Sequence, residues 1–345
     1  MTRSVPTRSL FLALSASLLL VFWLALALGS VSLPLGDTLR ALLHLSGIPL
    51  QAEGLEQAEL IVGQLRLPRA FMELLVGALL ALCGVAMQGL FRNPLADPGL
   101  IGVSSGAALG AALAIVFGGA IGGLPTVLGP YLLSLCAFLG GLAVTWLVYR
   151  LGRRDGQASV ATMLLAGIAL TALASALIGL FSYLADDATL RSLTFWNLGS
   201  PNGASYPRLW PLLLVGAVVA VWLPRRVDAL NALLLGESEA RHLGFDVERL
   251  KTELIFCTAL GVGAAVAAAG MIGFIGLVVP HLLRLLVGPD HRRLLPASML
   301  GGAILLLLAD LLARLALAPA ELPIGIVMAL LGAPFFLYLL VRSRL

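Results

Sequence analysis

A loop that hydrolyses nucleotides needs a glycine-flanked lysine followed by serine or threonine, because the lysine meets the terminal phosphates and the hydroxyl holds magnesium. This 345-residue chain has one lysine, Lys251, and it follows Leu250, so no such loop is present. Its four histidines, His44, His242, His281 and His291, are scattered and form no HExxH, the pattern that would suggest a zinc centre. Cys83, Cys136 and Cys257 all sit in apolar runs without CxxC spacing, which reads as small packing residues and gives no metal site. Glu73, Asp310 and Glu321 fall near the ends of apolar runs, and Asp97 falls at a turn. An ion-coupled carrier, the competing transport class, would bury an acid at mid-membrane at a cost of at least ~2.5–3.5 kcal/mol. No run has one. The expectation is a passive pore-former with no catalytic residue and no cofactor of its own, worked by soluble partners.

The elements that must position the remaining polar residues are membrane helices. Hydrophobic residues make up 60% of the chain and charged residues 12%, against about 45–50% and 25% in soluble domains. Apolar runs occupy roughly 10–29, 70–91, 100–118, 127–149, 159–184, 209–223, 254–270, 272–287, 297–317 and 324–341. The expected fold is an all-α integral membrane protein of about ten transmembrane helices, one polytopic domain over 1–345. The stretch 254–287 reads either as one hairpin or as two short spans broken near Gly270, Gly273 and Gly276.

With both termini cytoplasmic, ten spans leave six basic residues outside: Arg40, Arg66, Arg69, Arg191, Arg208 and Arg314. The other 16 of the 22, from Arg3 to Arg344, fall inside, the bias that the positive-inside rule expects. The net charge of +4 therefore reports topology and not a nucleic-acid surface. Arg3 and Arg8 before the first run, with Ala25-Leu26-Ala27 after it, imitate a signal peptide. The run exceeds the usual 7–15 residues of such a segment, so an uncleaved helix is expected.

Three polar stretches interrupt the runs. Gln88 to Gly110 holds the hinge Arg-Asn-Pro-Leu-Ala-Asp-Pro, followed by Gly102, Gly106 and Gly110. Glycines four apart let helix backbones approach closely. The outer stretch 32–69 carries Glu53, Glu56 and Glu59 and ends in Arg66-Leu67-Pro68-Arg69. Those arginines read either as helix-end anchors or as a docking site for an acidic partner. The inner stretch, about 225–253, predicts two short helices: one is stopped by Gly236, and the other, Glu237 to Leu243, is closed by Gly244 in a left-handed cap. Asp246 is placed to cap the next span. Two helices too short to span read as a handle for a soluble partner, or as an amphipathic element seated among headgroups.

The segments 66–69, 88–110, 235–244, 270–284 (Gly-Met-Ile-Gly-Phe-Ile-Gly-Leu-Val-Val-Pro-His-Leu-Leu-Arg) and 321–334 (Glu-Leu-Pro-Ile-Gly-Ile-Val-Met-Ala-Leu-Leu-Gly-Ala-Pro) resemble, in order, the permease subunits of ABC importers for iron chelates, haem and cobalamin. The resemblance runs from about residue 60 to the end of the chain. It implies a homodimer in the bacterial inner membrane, two cytoplasmic ATPase subunits that bind ATP and magnesium, and an external substrate-binding protein. It also implies that Arg66, Arg69 and Arg314 meet the binding protein, and that Gly236, Glu237, Ala240, Leu243 and Gly244 fit the ATPase. Ala240 is expected to face the ATPase because a small residue permits close approach. Asn93, Leu95, Ser159 and Thr162 would lie at the cytoplasmic gate. The run 93–110 and Tyr183 to Asp187 with Leu190-Arg191 look most like haem permeases, and ferric-siderophore and cobalamin permeases share much of the pattern.

Overall fold

The computed structural model describes residues 7–48, 54–118, 129–154 and 157–342. Arg3, Glu53, Val127 and Arg344, which entered the sequence reading, lie outside them. Each of the ten apolar runs corresponds to a helix: α1 (Thr7–Ala27), α4 (Leu67–Leu90), α5 (Val103–Phe117), α6 (Gly129–Gly152), α7 (Val160–Leu184), α9 (Tyr206–Trp222), α12 (Val247–Ala269), α13 (Ile275–Val287), α14 (His291–Ala316) and α15 (Ile324–Arg342). Among the described residues, seven helices are long and apolar enough to cross a membrane, and α5, α13 and α15 supply three shorter apolar ones. Short helices lie between them: α2 (Leu35–Leu45), α3 (Glu56–Leu60), α8 (Asp187–Asn197), α10 (Val227–Leu235) and α11 (Glu237–His242). A two-residue hairpin, β1 (Arg153–Arg154) with β2 (Gln157–Ala158), joins α6 to α7.

The centre of the molecule is α4, which is apolar around most of its circumference and buried on nearly every side. Lipid is as apolar as leucine, so its neighbours are held by close packing rather than by exclusion of water. A Cβ added at Gly84 would lie 2.0 Å from the Gly276 carbonyl of α13. The glycines of the hinge stretch do what their spacing predicts. Cβ atoms at Gly106 and Gly110 would lie 2.4 Å from Gly140 O and 2.0 Å from Cys136 O, so α5 and α6 pack backbone to backbone. Gly102 differs: it sits before α5 in a left-handed conformation and closes a short 3-10 turn, Pro98–Ile101.

The 254–287 stretch resolves as two helices separated by the non-helical residues 270–274. Gly270 turns the chain at φ 72°, whereas Gly276 lies inside α13. Such backbone at membrane depth survives where protein covers it, and here Met271, Gly273 and Phe274 line a cavity of about 200 Å³ together with Asp97 and Pro98. Overpacking one of the two tightest crossings gives a direct check. Gly84→Leu is expected to cost at least the ~1–3 kcal/mol typical of overpacking, seen as a lowered melting temperature in detergent. Gly179 supplies the contrast, because nothing lies within 4 Å of a Cβ built there. Gly179→Leu should leave the melting temperature unchanged.

Candidate functional site

The face of the molecule that carries α10 and α11 is built by chain-turning glycines and one buried lysine. Gly236 ends α10 and starts α11 at φ 127° and ψ 156°, a conformation that a side chain would strain. At the far end of α11, Gly244 adopts φ 89°. Its N–H donates to Arg241 O at 3.0 Å, and Phe245 N donates to Ala240 O at 3.1 Å, the paired bonds of a Schellman cap. Asp246 Oδ1 then accepts from Arg249 N at 3.0 Å and opens α12. The expected left-handed cap and N-cap are both present.

Ala240 departs from expectation. It is 0% exposed and packs into the main core, so it does not face outward. Its small side chain lets α11 lie close on the body of the protein. The groups presented outward include Leu235 and Leu243, 68% and 60% exposed, and the polar side chains of Ser238, Glu239, Arg241 and His242, with Glu237 half-buried among them.

Lys251 holds this turn in place. It is buried, and its Nζ donates to Glu237 Oε2 of α11 at 2.7 Å, to Glu248 Oε1 at 3.1 Å and to Ala158 O of β2 at 3.2 Å. Glu248 Oε2 in turn accepts from Ala158 N at 2.8 Å. Sequence reasoning assigns Lys251 no role; the one signal that could have found it is a sole lysine three residues after an acid, at a membrane boundary. On the same face, Asn231 Nδ2 donates to Asp290 Oδ1 at 2.7 Å. Asp290 also accepts from Arg292 N, and these bonds hold its carboxyl below the usual range.

The gate candidates are local caps. Asn93 Oδ1 accepts from Leu95 N at 2.9 Å, and Ser159 Oγ caps α7 by accepting from Thr162 N at 3.4 Å and from Thr162 Oγ1 at 3.0 Å. Asn93, Ser159 and Thr162 are exposed and Leu95 is half-buried. The hinge meets α7 further along, where a Cβ at Gly167 would lie 2.1 Å from Leu100 O. Between these points Asp97 Oδ1 accepts from Gly99 N at 2.7 Å.

The three arginines at the opposite face are not available as free surface charges. Arg66 is buried, and its guanidinium donates to Leu26 O at 2.7 Å, to Ala27 O at 2.9 Å and to Val31 O. Arg314 donates to Ala25 O at 3.2 Å and Leu28 O at 3.1 Å and pairs with Asp310 at 2.7 Å. Both therefore satisfy carbonyls that the end of α1 leaves without intrahelical partners. Arg69 binds Asp310 at 2.6 Å, Glu321 at 2.8 Å and Glu73 at 3.3 Å, joining α4, α14 and the approach to α15. The expectation that these arginines are exposed charges does not hold: an arginine buried in the membrane region is costly unless paired, and this chain supplies partners itself.

The body is thus a bundle of apolar helices with an exposed two-helix turn on one face, and no metal-ligating cluster occurs among the described residues. The model for the FecCD transport family aligns with residues 17–342. The chain belongs to that family. It is 47% identical over 283 residues to the hemin transport system permease protein HmuU of Yersinia pestis, covering 81% of this chain and 83% of that protein. It is 45% identical over 332 residues to the vitamin B12 import system permease protein BtuC of Salmonella typhi, covering 96% and 94%. Among solved structures, one described as an inward-facing conformation of a metal-chelate type ABC transporter superposes with a TM-score of 0.82 at 36% identity, covering 97% of this chain and 99% of that one. The chain is a multi-pass ABC importer permease, and it is not itself the catalytic part.

Proposed function

We propose that this chain forms, as a homodimer, the path by which haem or a related large iron chelate crosses the bacterial inner membrane. Two ATPase subunits would dock on α10 and α11 from the cytoplasm, and a binding protein would deliver cargo to the opposite face. The observation that carries the reading is the family match along nearly the whole chain. The haem choice rests on the Asn93 to Gly110 run and on Tyr183 to Arg191; cobalamin is the second reading, favoured by the wider coverage of the B12 permease. Uptake of hemin, cobalamin and a ferric siderophore by the reconstituted importer separates them, and preferential uptake of cobalamin would overturn the haem assignment.

Lys251 gives the proposed machine a transmission. Glu237 lies on the docking turn, and Ala158 immediately precedes Ser159, the cap of α7. A shift of α11 would therefore reach the start of α7 through one ammonium group. The exposed apolar side chains of α7 and α15, among them Leu165, Ile168, Leu330 and Leu337, offer faces for lipid or a second copy. Orientation is checked by labelling. A cysteine at Pro289 should react only from the cytoplasm and one at Ser46 only from outside; the reverse would invert the topology.

A further inference from the structure

Arg208 differs from the paired arginines of its face. It is half-buried, and no hydrogen bond or ion pair joins its guanidinium to another described residue. It stands at the mouth of a groove of about 370 Å³ between α6, α9 and α12. Below it the groove is apolar, lined by Leu135, Phe138, Leu212, Val215 and Ala264. α6 and α9 start at this end, so the groove runs from the membrane surface inward along the flank of α12, about 10 Å along α6 at 1.5 Å per residue. Tyr131, Tyr206 and Trp210 line an adjoining hollow, the aromatic belt that marks headgroup depth.

We propose that this groove holds one acyl chain of an anionic phospholipid whose phosphate rests on Arg208. A cation at headgroup level above an apolar channel matches that amphiphile in charge and in shape, and the channel walls offer a peptide almost no hydrogen-bonding groups. Glu321, the carboxylate that lines the neighbouring hollow with Arg208, is already committed to Arg69.

The test uses the detergent-purified importer complex, stripped of lipid and offered phosphatidylglycerol or phosphatidylcholine of the same chain length, with retained lipid counted by native mass spectrometry. Wild type is expected to favour phosphatidylglycerol by about fivefold, the effect of one basic residue near a lipid surface. Arg208→Gln should bring the ratio to about one, whereas Arg40→Gln, an exposed control on the same side, should leave it unchanged. Ala264→Leu should reduce retention of phosphatidylglycerol with Arg208 intact, which keeps the test open if Arg208→Gln fails to assemble. Equal retention of the two lipids by wild type, an unchanged ratio in Arg208→Gln, or displacement of lipid by hemin would overturn the proposal.

Discussion

Lys251→Met is expected to leave the importer assembled and hydrolysing ATP while transport per ATP falls by about 5- to 150-fold, the range of a lost coupling of about 1–3 kcal/mol. The substitution keeps the length and apolar stem of the side chain but removes every bond from α11 and α12 to Ala158 that runs through Nζ. Glu237 and Glu248 are 29% and 28% exposed, so each can turn to water, and the stability loss should be well below that of a fully buried pair. The ratio of transport to hydrolysis is therefore the informative readout. Lys251→Arg, which retains the charge, should recover part of it. Full coupling in Lys251→Met would show that α7 receives its signal by another route.

Arg69→Leu should act at the other face and on stability. It leaves Glu73, 1% exposed at its side chain, without its ion-pair partner, and leaves Asp310, 0% exposed, with Arg314 alone. Removing one partner of a buried pair typically costs about 3–5 kcal/mol. The expected result is a marked loss of folded, monodisperse protein in detergent, little relieved by salt because buried pairs are weakly screened. A surface docking arginine would behave differently: the variant would fold normally, and only its association with the binding protein would weaken with ionic strength. Normal thermal stability of Arg69→Leu would show that this pairing does not hold the fold together.

The membrane spans, the hinge and the caps at Gly244 and Asp246 are legible because each depends on local sequence: apolar length, proline, and glycine or aspartate at a helix end. The partners of Arg66, Arg69 and Arg314 are not. Arg69 meets Asp310 and Glu321, 241 and 252 residues away, and no local pattern encodes such pairings. Ala240 shows a related limit. Its small size signals close approach correctly, but the six-residue α11 is too short for periodicity to say which neighbour it approaches. Cargo is the least legible feature, since hemin and vitamin B12 permeases resemble this chain almost equally.

The most direct test of the central claim is uptake into proteoliposomes. The chain reconstituted with its partner ATPase, with ATP inside the compartment that faces α10 and α11 and loaded binding protein on the opposite side, should move hemin toward the ATPase side. Liposomes holding the chain alone should accumulate none under a proton or sodium gradient. Gradient-driven accumulation by the chain alone would contradict the account.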